Sequence, residues 1–363
     1  MRLEVGDVDR ELTRLWEQDA HKQGSARVGL LTLVALVSEP RLLERVQKVV
    51  ADVVKVHPLR TIVAVWKDGA TPALTADVEL HRVSAGGAVC GDAITLEAVG
   101  AAREWLPGNA DRLALADLPV CVWWVGDLPD YDDLFDRMVV NADVVIVNSQ
   151  EMDLRDLEKL SVIAARSHGR YALADLAWIR LHSIQDLVAR FFDDEAGRAH
   201  LASVQRIEIE FSPREGEKDA ASTRSGLLFG WIAHVLKLPI VAPQWRRGEG
   251  WAEVQLGGVT ARFEPKLRPG VRPGGIVRLS IQCQDARFDI AREDDPQVFR
   301  WSREVPGVPT PSQLLRIKSL DETTLLCRCL ERPKQDALLE ASMHVGSRIV
   351  RPIAPRLSGR PPE

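Results

Sequence analysis

The chain has 363 residues, of which 45% are hydrophobic and 27% charged, and its formal net charge is −5. This balance is typical of a folded globular protein of about two domains. The negative charge argues against a nucleic-acid-binding surface, which needs a concentrated basic face. The most apolar segment, residues 30–37, is too short to span a bilayer, and the acidic start shows no signal-peptide pattern. We therefore expect a cytoplasmic protein with no nucleic-acid or membrane partner.

The first 168 residues alternate between strand and helix patterns. Apolar runs of strand length predict buried strands at 28–37, 61–66 and 143–147. In segment 39–54 the apolar residues recur at helical spacing, which predicts an amphipathic helix. Strand candidates at 74–83 and 88–99 flank Gly86 and Gly87, a hairpin signal. This order predicts an α/β domain, residues 1–168, with a covered mixed sheet and flanking helices.

Segment 117–124 ends in two consecutive tryptophans, Trp123 and Trp124. Successive side chains of a strand point to opposite faces, so the two rings must lie on both sides of the sheet. A strand that is apolar on both faces belongs in the middle of a sheet covered on both sides. After the next predicted strand, Asn148 or Ser149 is expected to cap a helix over 150–166.

Helix and strand patterns become segregated beyond Ser167-His168-Gly169, the predicted domain boundary. Helices are predicted at 171–181, from Ser183 to about 192, at 223–238 and at 334–345. Alternating patterns predict strands at 207–211, 254–256, 259–263, 277–283, 287–291, 298–302 and 323–330. Residues 169–350 are therefore expected to form an α+β domain with an antiparallel sheet. The proline- and arginine-rich residues 351–363 are expected to be a disordered tail.

The usual sequence signatures of cofactor, metal and nucleophile chemistry are absent. No G-x-G-x-x-G follows a strand, and neither G-x-x-x-x-G-K-[ST] nor G-x-S-x-G occurs. None of the eight histidines has the i, i+4 partner of a helical metal site. The five cysteines lack the spacing of a disulfide framework or a zinc site. We therefore predict no catalytic residue, no cofactor and no metal.

His57-Pro58-Leu59-Arg60 is the most suggestive polar cluster, between a predicted helix and a buried strand. Arg60 could hold an anion, while His57 could titrate near neutral pH. Alternatively, the segment is a turn in which His57 contacts the C-terminus of the helix, and we favour this interpretation. The cluster motivates an alternative function, an α/β enzyme of sugar phosphates or nucleotides. In it, Arg60 would bind phosphate and His57 or Asp92 would serve as acid or base.

Two cysteines raise the hypothesis of a thiol-switched regulator. Cys90 is followed by Gly91 and Asp92, and the acidic neighbour disfavours the reactive thiolate. A structural cysteine at a strand bend is therefore favoured for Cys90. Regulation through Cys90 or Cys121 is a third hypothesis for the function.

A second candidate segment is Asp175-Leu176-Ala177-Trp178-Ile179-Arg180. On a helix, Asp175 and Trp178 share a face. The segment could present Trp178 and Arg180 to a partner, since both residue types are enriched at interface hot spots. A core tryptophan with a flanking surface arginine explains the pattern equally well.

Taken together and in order, several of these segments resemble the OpcA family, the glucose-6-phosphate dehydrogenase assembly proteins. The matching segments are residues 57–62, 90–96, 117–124, 142–149 and 173–181, with Phe191-Phe192-Asp193 following them. Family members usually have an aspartate, a serine and an arginine where this chain has Asn148, Ser149 and Gln150. Ile184 and Gln185 stand where the family usually has a Trp-Arg pair.

The resemblance implies a non-catalytic activator that binds glucose-6-phosphate dehydrogenase and favours its active oligomer or conformation. Such a protein supports the oxidative pentose phosphate pathway and needs no cofactor of its own. The residues that we single out as contacts for the partner or a ligand are His57, Arg60, Cys90, Asp92, Asp175, Trp178 and Arg180. The sequence leaves the binding surface and the stoichiometry open.

Overall fold

The computed structural model describes residues 3–23, 26–27, 29–82, 89–128, 133–167, 169–214, 221–240, 243–248, 250–309, 312–331 and 335–350. The helices are α1 Val8–Gln23, α2 Leu43–Val54, α3 Leu106–Leu113, α4 Asp133–Met138, α5 Asp156–Ser167, α6 Leu176–Ala189, α7 Glu195–Arg198, α8 Thr223–Val235, α9 Glu322–Glu331 and α10 Ala337–Val350. The predicted tail, residues 351–363, lies outside the described residues.

The first sheet is built on six parallel strands with antiparallel and short strands at one side. Its strands are β1 Leu3–Glu4, β2 Ala26–Arg27, β3 Thr32–Val37, β4 Arg60–Lys67, β5 Ala73–Arg82, β6 Val89–Val99, β7 Val120–Val125, β8 Val144–Val147 and β9 Ala172–Asp175. They run in the order β1-β5-β6-β4-β3-β7-β8-β9, and β2 pairs with β6. From β6 to β9 all neighbours are parallel. The strand order reverses at β3, which makes this a doubly wound α/β sheet.

The tryptophan strand is the centre of this sheet, as predicted. β7 lies between β3 and β8, and Trp123 and Trp124 are 0% and 1% exposed. The Trp124 ring packs against Trp66 and Phe135, with centroid distances of 6.2 and 5.2 Å. Its indole Nε1 donates to the carbonyl oxygen of Asp127 at 3.0 Å. The predicted antiparallel pairing of β5 and β6 is also confirmed, while the turn expected at Gly86 and Gly87 lies outside the described residues.

Close packing beside β6 requires a glycine at position 91. A Cβ atom at Gly91 on β6 would lie 2.4 Å from the carbonyl oxygen of Leu59 and 2.8 Å from Cγ1 of Val54. The Leu59 backbone cannot move far enough to relieve so short a contact, so any side chain here would push β6 away from the end of α2. Gly91 thereby allows β6 to approach α2 and the start of β4.

The second sheet is mixed, not wholly antiparallel as predicted. Its strands are β10 Val204–Phe211, β11 Gln244–Gly248, β12 Trp251–Leu256, β13 Val259–Pro265, β14 Ile276–Cys283, β15 Arg287–Arg292, β16 Val298–Glu304 and β17 Gln313–Arg316. The order is β11-β12-β13-β10-β14-β15-β16-β17, and β10 and β13 are parallel. The chain leaves β10 through α8 before it forms β11 to β13, so β13 returns in the same direction as β10.

One face of the second sheet is apolar and covered by helices. Phe229 of α8 packs edge-on against Phe263 of β13, with ring centroids 5.6 Å apart. α8 and α10 cross closely, since a Cβ atom at Gly230 would lie 2.2 Å from the Ser342 carbonyl oxygen. At Gly346 it would lie 2.8 Å from the carbonyl oxygen of Gly226. Glycine at these positions lets the two backbones meet.

The chain divides into two compact units that are not contiguous in sequence. The first contains Met1–Glu151, Ser167–Leu176 and Asp321–Asp336, and the second contains Met152–Arg166, Ala177–Leu320 and Ala337–Glu363. The sequence placed a single boundary at residue 168. The structure instead assigns the late segment Asp321–Asp336, with α9, to the first unit.

The predicted strand over 323–330 is wrong, because these residues form α9. Thr323 and Thr324 are β-branched and favour a strand. However, Leu325, Leu326, Cys329 and Leu330 fall at i, i+1, i+4 and i+5, and all four are buried on the helix. α9 packs beside α2, where Arg45 Nη2 lies 2.8 Å from Glu322 Oε1.

The predicted helices at 171–181 and from Ser183 are also wrong in their boundaries. Ala172–Asp175 forms β9, and one continuous helix, α6, follows over Leu176–Ala189. Ala172, Leu173 and Ala174 have helical propensity, but parallel pairing with β8 decides their conformation. Ser183 lies inside α6 and begins no helix.

An ion pair in the second unit predicts a pH-dependent stability. Arg303 donates from both terminal nitrogens to the Asp194 carboxylate, at 2.9 and 2.6 Å, and Gly197 N–H at the start of α7 donates at 2.8 Å. These hydrogen bonds, chiefly those from Arg303, lower the pKa of Asp194 to about 2. The stabilisation is therefore present above about pH 4 and is lost as the pH falls towards 2.

We expect Asp194→Asn to unfold at lower urea concentration than the unmodified protein at pH 6, and the difference to shrink between about pH 4 and pH 2. Urea unfolding followed by fluorescence at a series of pH values measures this. A difference that stays constant across the series would contradict the assignment.

Candidate functional site

The carboxyl edge of the first sheet is where a doubly wound fold normally binds a ligand, at the point where the strand order reverses. Here that point lies between β3 and β7. Ser38 follows β3, and both its backbone N–H and its hydroxyl donate to the carbonyl oxygen of Val125, each at 3.0 Å. Gly126 has a φ of +99°, and a Cβ atom there would lie 2.0 Å from Ser38 Oγ. The two loops therefore contact each other directly.

The residues at this edge do not fit a dinucleotide. A pyrophosphate needs glycines in the turn after the first strand and free N–H groups at the start of the following helix. The turn here is Ser38-Glu39-Pro40, so it has no glycine, and Pro40 contributes no N–H group. The Glu39 carboxylate pairs with Arg41 at this turn.

Buried polar residues join the carboxyl ends of β8 and β9. Asp175 ends β9 and is 1% exposed. Its carboxylate accepts from the backbone N–H of Ser149 at 3.0 Å and from the Ser149 hydroxyl at 2.5 Å. The predicted cap at Asn148 or Ser149 is wrong, because α5 begins only at Asp156. Ser149 instead fixes the loop after β8 to the end of β9.

Arg60 and Asp92 form a buried ion pair at the opposite, amino edge of the sheet. Arg60 begins β4, and its guanidinium donates from Nε and Nη2 to the two Asp92 oxygens, at 3.0 and 2.7 Å. Nη1 donates to the carbonyl oxygen of Leu113 at 2.7 Å. The two residues are 6% and 3% exposed. Arg60 is thus bound within the fold, at the edge away from the usual ligand crevice.

His57 lies in the turn that ends α2. Its backbone N–H donates to the carbonyl oxygen of Val53 at 2.9 Å. Its Nε2 lies 3.4 Å from Oε1 of Glu331 at the end of α9, and its side chain is 23% exposed. His57 therefore lies in a turn at the C-terminus of the helix, as in the interpretation that the sequence favoured. His57 and Arg60 both lie close to the amino edge, but only Arg60 is part of the ion pair with Asp92.

Trp178 and Arg180 lie on α6 in the second unit. Trp178 is 3% exposed, and its ring meets His182 edge-on with a centroid distance of 5.9 Å. This ring therefore belongs to the interior. The Arg180 side chain is partly exposed, and its backbone carbonyl accepts from Arg224 Nη2 at 3.3 Å.

The described thiols are buried and disfavour the thiolate. Burial, with a smaller contribution from Asp143, raises the pKa of Cys121 to about 12. Burial also raises the pKa of Cys329, and it raises those of Cys283 and Cys327 to about 11. Such thiols are poor nucleophiles and poor redox sensors at neutral pH. The side chain of Cys90 lies outside what the structure describes.

The sequence pointed to buried tryptophans and did not single out an exposed one. Trp105, which precedes α3, is 50% exposed, whereas the other tryptophans are buried or partly buried. Its neighbour Glu104 pairs with Arg137 of α4. The only signal in the sequence is its charged context, Arg103-Glu104-Trp105, which is typical of a surface turn.

Among the described residues, no group of three His, Cys, Asp or Glu side chains could hold a metal ion. No helix in the described ranges has the length and apolar character needed to cross a membrane.

Comparisons with solved structures return oxidoreductases with low similarity. An aldose-aldose oxidoreductase of Caulobacter crescentus is 11% identical with a TM-score of 0.48, over 89% of this chain and 96% of that one. An NAD binding oxidoreductase of Klebsiella pneumoniae is 12% identical with a TM-score of 0.47, over 90% and 97%. We draw no functional conclusion from these values.

Sequence comparisons are far more specific. Residues 50–163 match the family model described as the glucose-6-phosphate dehydrogenase subunit N-terminal domain, and residues 171–343 match that of its C-terminal domain. Two curated relatives are named, provisionally, as the OxPP cycle protein OpcA. That of Nostoc punctiforme is 29% identical over 95% of this chain and 76% of its own length. That of Synechocystis sp. is 26% identical over 90% and 70%. With both halves matched in order, the chain belongs to the OpcA family of glucose-6-phosphate dehydrogenase assembly proteins.

Proposed function

We propose that this protein binds glucose-6-phosphate dehydrogenase in the cytoplasm and activates it, while catalysing no reaction itself. Binding favours the active oligomer or conformation of the enzyme and so supports the oxidative pentose phosphate pathway. The observation that carries the proposal is the match to both family domains, whose descriptions name a subunit of that dehydrogenase.

The described polar residues support a non-catalytic role. The turn after β3 does not fit a dinucleotide, and Ser38 is bonded to Val125 at the ligand-binding edge of the first sheet. Arg60, Asp92 and Asp175 are buried and hydrogen-bonded within the protein. The alternative of a sugar-phosphate enzyme gains no support from this geometry, because the donors of Arg60 that would bind phosphate bind Asp92.

An activator of this kind works through differential affinity. It must bind the active state of the dehydrogenase more tightly than the inactive state, and the ratio of the two affinities sets the largest shift. A tenfold activation corresponds to a coupling free energy of about 1.4 kcal/mol. A modest interface is sufficient for such a coupling.

The expected result is a rise of about tenfold in the rate of the cognate dehydrogenase at low glucose-6-phosphate when this protein is added in excess, within the usual range of allosteric coupling. Initial rates are measured with the enzyme alone, with the added protein, and with the protein alone, which should turn over nothing. The heat-denatured protein is the control. Co-sedimentation of the two chains measures binding separately. Absence of both association and any kinetic effect would reject the proposal.

Three side chains with exposed surface are the first candidates for contacts with the dehydrogenase: Trp105, His57 and Arg180. Half-exposed tryptophans are frequent anchors at interfaces. Trp105→Ala therefore serves as the binding variant in the assay above, with Val140→Ala as a control that removes a different exposed apolar side chain. Equal effects of the two substitutions would remove Trp105 from the candidate contacts.

A further inference from the structure

Two similar turns follow one another between β13 and β14, in the segment Arg268-Pro269-Gly270-Val271-Arg272-Pro273-Gly274-Gly275. The Val271 N–H donates to the carbonyl oxygen of Arg268 at 3.2 Å, and the Gly275 N–H donates to that of Arg272 at 2.9 Å. Each turn has proline second and a glycine of φ +75° or +72° third, which makes both of them type II turns. Both turns therefore begin with an arginine, and we call residues 268–275 the double turn.

The double turn is attached to two neighbouring segments of the second unit. The Ser212 N–H, just after β10, donates to the carbonyl oxygen of Gly275 at 2.9 Å, and the Gly274 N–H donates to that of Ser212 at 2.7 Å. A Cβ atom at Gly270 would lie 3.1 Å from Cγ of Pro296, in the turn between β15 and β16. The backbone of the double turn is thus fixed before any ligand arrives, which lowers the entropic cost of binding.

Arg292, the last residue of β15, lies beside the double turn. Its guanidinium lies over the buried ring of Phe299, 4.3 Å from the centroid. Nε donates to the carbonyl oxygen of Ile276 at 2.6 Å, and Nη1 donates to that of Pro296. Both acceptors are neutral, and Nη2 has no acceptor among the described residues. The charge of Arg292 is therefore not compensated by the groups that hold its side chain.

A second cation lies close to Arg292. Burial, with a smaller contribution from the positive charge of Arg268, lowers the pKa of Arg292 to about 10. The two guanidinium groups are therefore near enough to repel each other. A half-buried cation beside another cation is unfavourable unless an anion neutralises it, and guanidinium groups bind oxyanions through charge-assisted hydrogen bonds.

The carboxylates of the turn between β15 and β16 do not neutralise Arg292. Glu293 pairs with Arg300 at 2.7 Å, and Asp295 pairs with Arg316, also at 2.7 Å. The Asp295 carboxylate accepts from a backbone N–H of its own turn as well. These two acidic side chains are thus engaged by arginines of β16 and β17.

The third carboxylate of that turn is only weakly engaged. Asp294 lies 3.3 Å from Arg268, but its side chain is fully exposed, and such a pair contributes little. The Arg272 side chain is exposed and has no ion pair or hydrogen bond within the described part of the chain. An incoming anion can therefore bind Arg272 freely and replace Asp294 at Arg268 at small cost.

We propose that the double turn and Arg292 form a binding site for a phosphate group, either free phosphate or the phosphate of a small ester. Three guanidinium groups favour a dianion over a carboxylate, and their forked donors match the oxygens of phosphate. Arg268 and Arg272 supply charge from the starts of the two turns, while Arg292 supplies the half-buried donor Nη2. The inference is independent of the proposed binding to the dehydrogenase.

Isothermal titration calorimetry of the full chain with inorganic phosphate, at constant ionic strength and pH 7.5, tests the site. We expect saturable binding of one phosphate per chain, and binding of acetate at least tenfold weaker. Glycerol 3-phosphate is the second probe. Tighter binding of this ester than of inorganic phosphate would assign the site to a phosphorylated metabolite, and the reverse would assign it to the free ion.

Arg268→Gln/Arg272→Gln should raise the dissociation constant for phosphate at least about tenfold, because two charged donors are lost. This variant should unfold at nearly the same temperature as the unmodified protein, since neither side chain has a buried partner among the described residues. Arg41→Gln/Arg328→Gln removes two exposed arginines of the first unit and is the matched control. The inference is wrong if phosphate gives no saturable binding, or if the two double variants bind it equally well.

Discussion

Replacing Asp92 with alanine is expected to lower the free energy of unfolding by about 3–5 kcal/mol, because it leaves a buried guanidinium without its counter-charge. Arg60 is 6% exposed and directs two hydrogen bonds at the Asp92 carboxylate. Its remaining bond, to the Leu113 carbonyl, cannot neutralise the charge. Urea unfolding monitored by circular dichroism measures the loss.

Two controls distinguish the effect of leaving a buried charge without a partner from the effect of losing an ion pair as such. The double variant Arg60→Met/Asp92→Leu removes both partners and should be far less destabilised than Asp92→Ala, since buried pairs are often replaceable by apolar groups. Asp52→Ala breaks the exposed pair of Asp52 with Lys55 and should change stability by less than about 1 kcal/mol. If Asp92→Ala proves as mild as Asp52→Ala, the pair is not a buried one in solution.

Replacing Trp301 with alanine is the second large effect we expect, a loss of about 3–5 kcal/mol from the cavity left in the second unit. The Trp301 ring stacks on Phe191 with centroids 4.7 Å apart and an interplanar angle of 13°. Its Nε1 donates to the carbonyl oxygen of Leu187 at 3.0 Å, close to the end of α6. The indole therefore attaches this end of α6 to the sheet.

Trp301→Phe keeps an aromatic ring but loses the donor, so it should be about 1–3 kcal/mol less stable than the unmodified protein, as expected for an unsatisfied buried carbonyl. Trp105→Ala is the matched control, because its ring is half exposed and leaves no cavity. Thermal unfolding of the three variants gives the order. An equal effect of Trp301→Ala and Trp105→Ala would contradict the packing described.

The sheets were predictable where the pattern is local. The two-sided tryptophan strand and the antiparallel pairing of β5 and β6 follow from alternation and apolar runs, and the structure confirms both. Elements decided by tertiary pairing were not predictable. β9 has a helix-forming sequence that becomes a strand beside β8. In α9, by contrast, the buried apolar residues recur at helical spacing, and the strand prediction overlooked this local pattern. α1 was not predicted, although Val8, Leu12 and Trp16 recur at helical spacing and are buried.

The candidate site was harder to predict than the fold. Arg60 and Asp92 were both chosen from the sequence, but residue type alone does not reveal that they neutralise each other. Parallel pairing of β4 with β6 brings them together. The sequence left Trp178 open between a partner contact and a core side chain, and its burial follows from tertiary packing. The ion pairs of the second sheet were not predicted because they form across strands, between residues as distant in sequence as Arg206 and Glu253.

α9 has a consequence for how the protein is made. The first unit is nearly complete by residue 176, but its last helix, Glu322–Glu331, is synthesised only after the whole of the second sheet. Domains usually fold in order as they emerge from the ribosome. Here the α2 surface that α9 covers is synthesised early and stays uncovered during most of translation. Folding of the first unit is thus tied to completion of the chain, and a truncated product would be unstable at its N-terminal half.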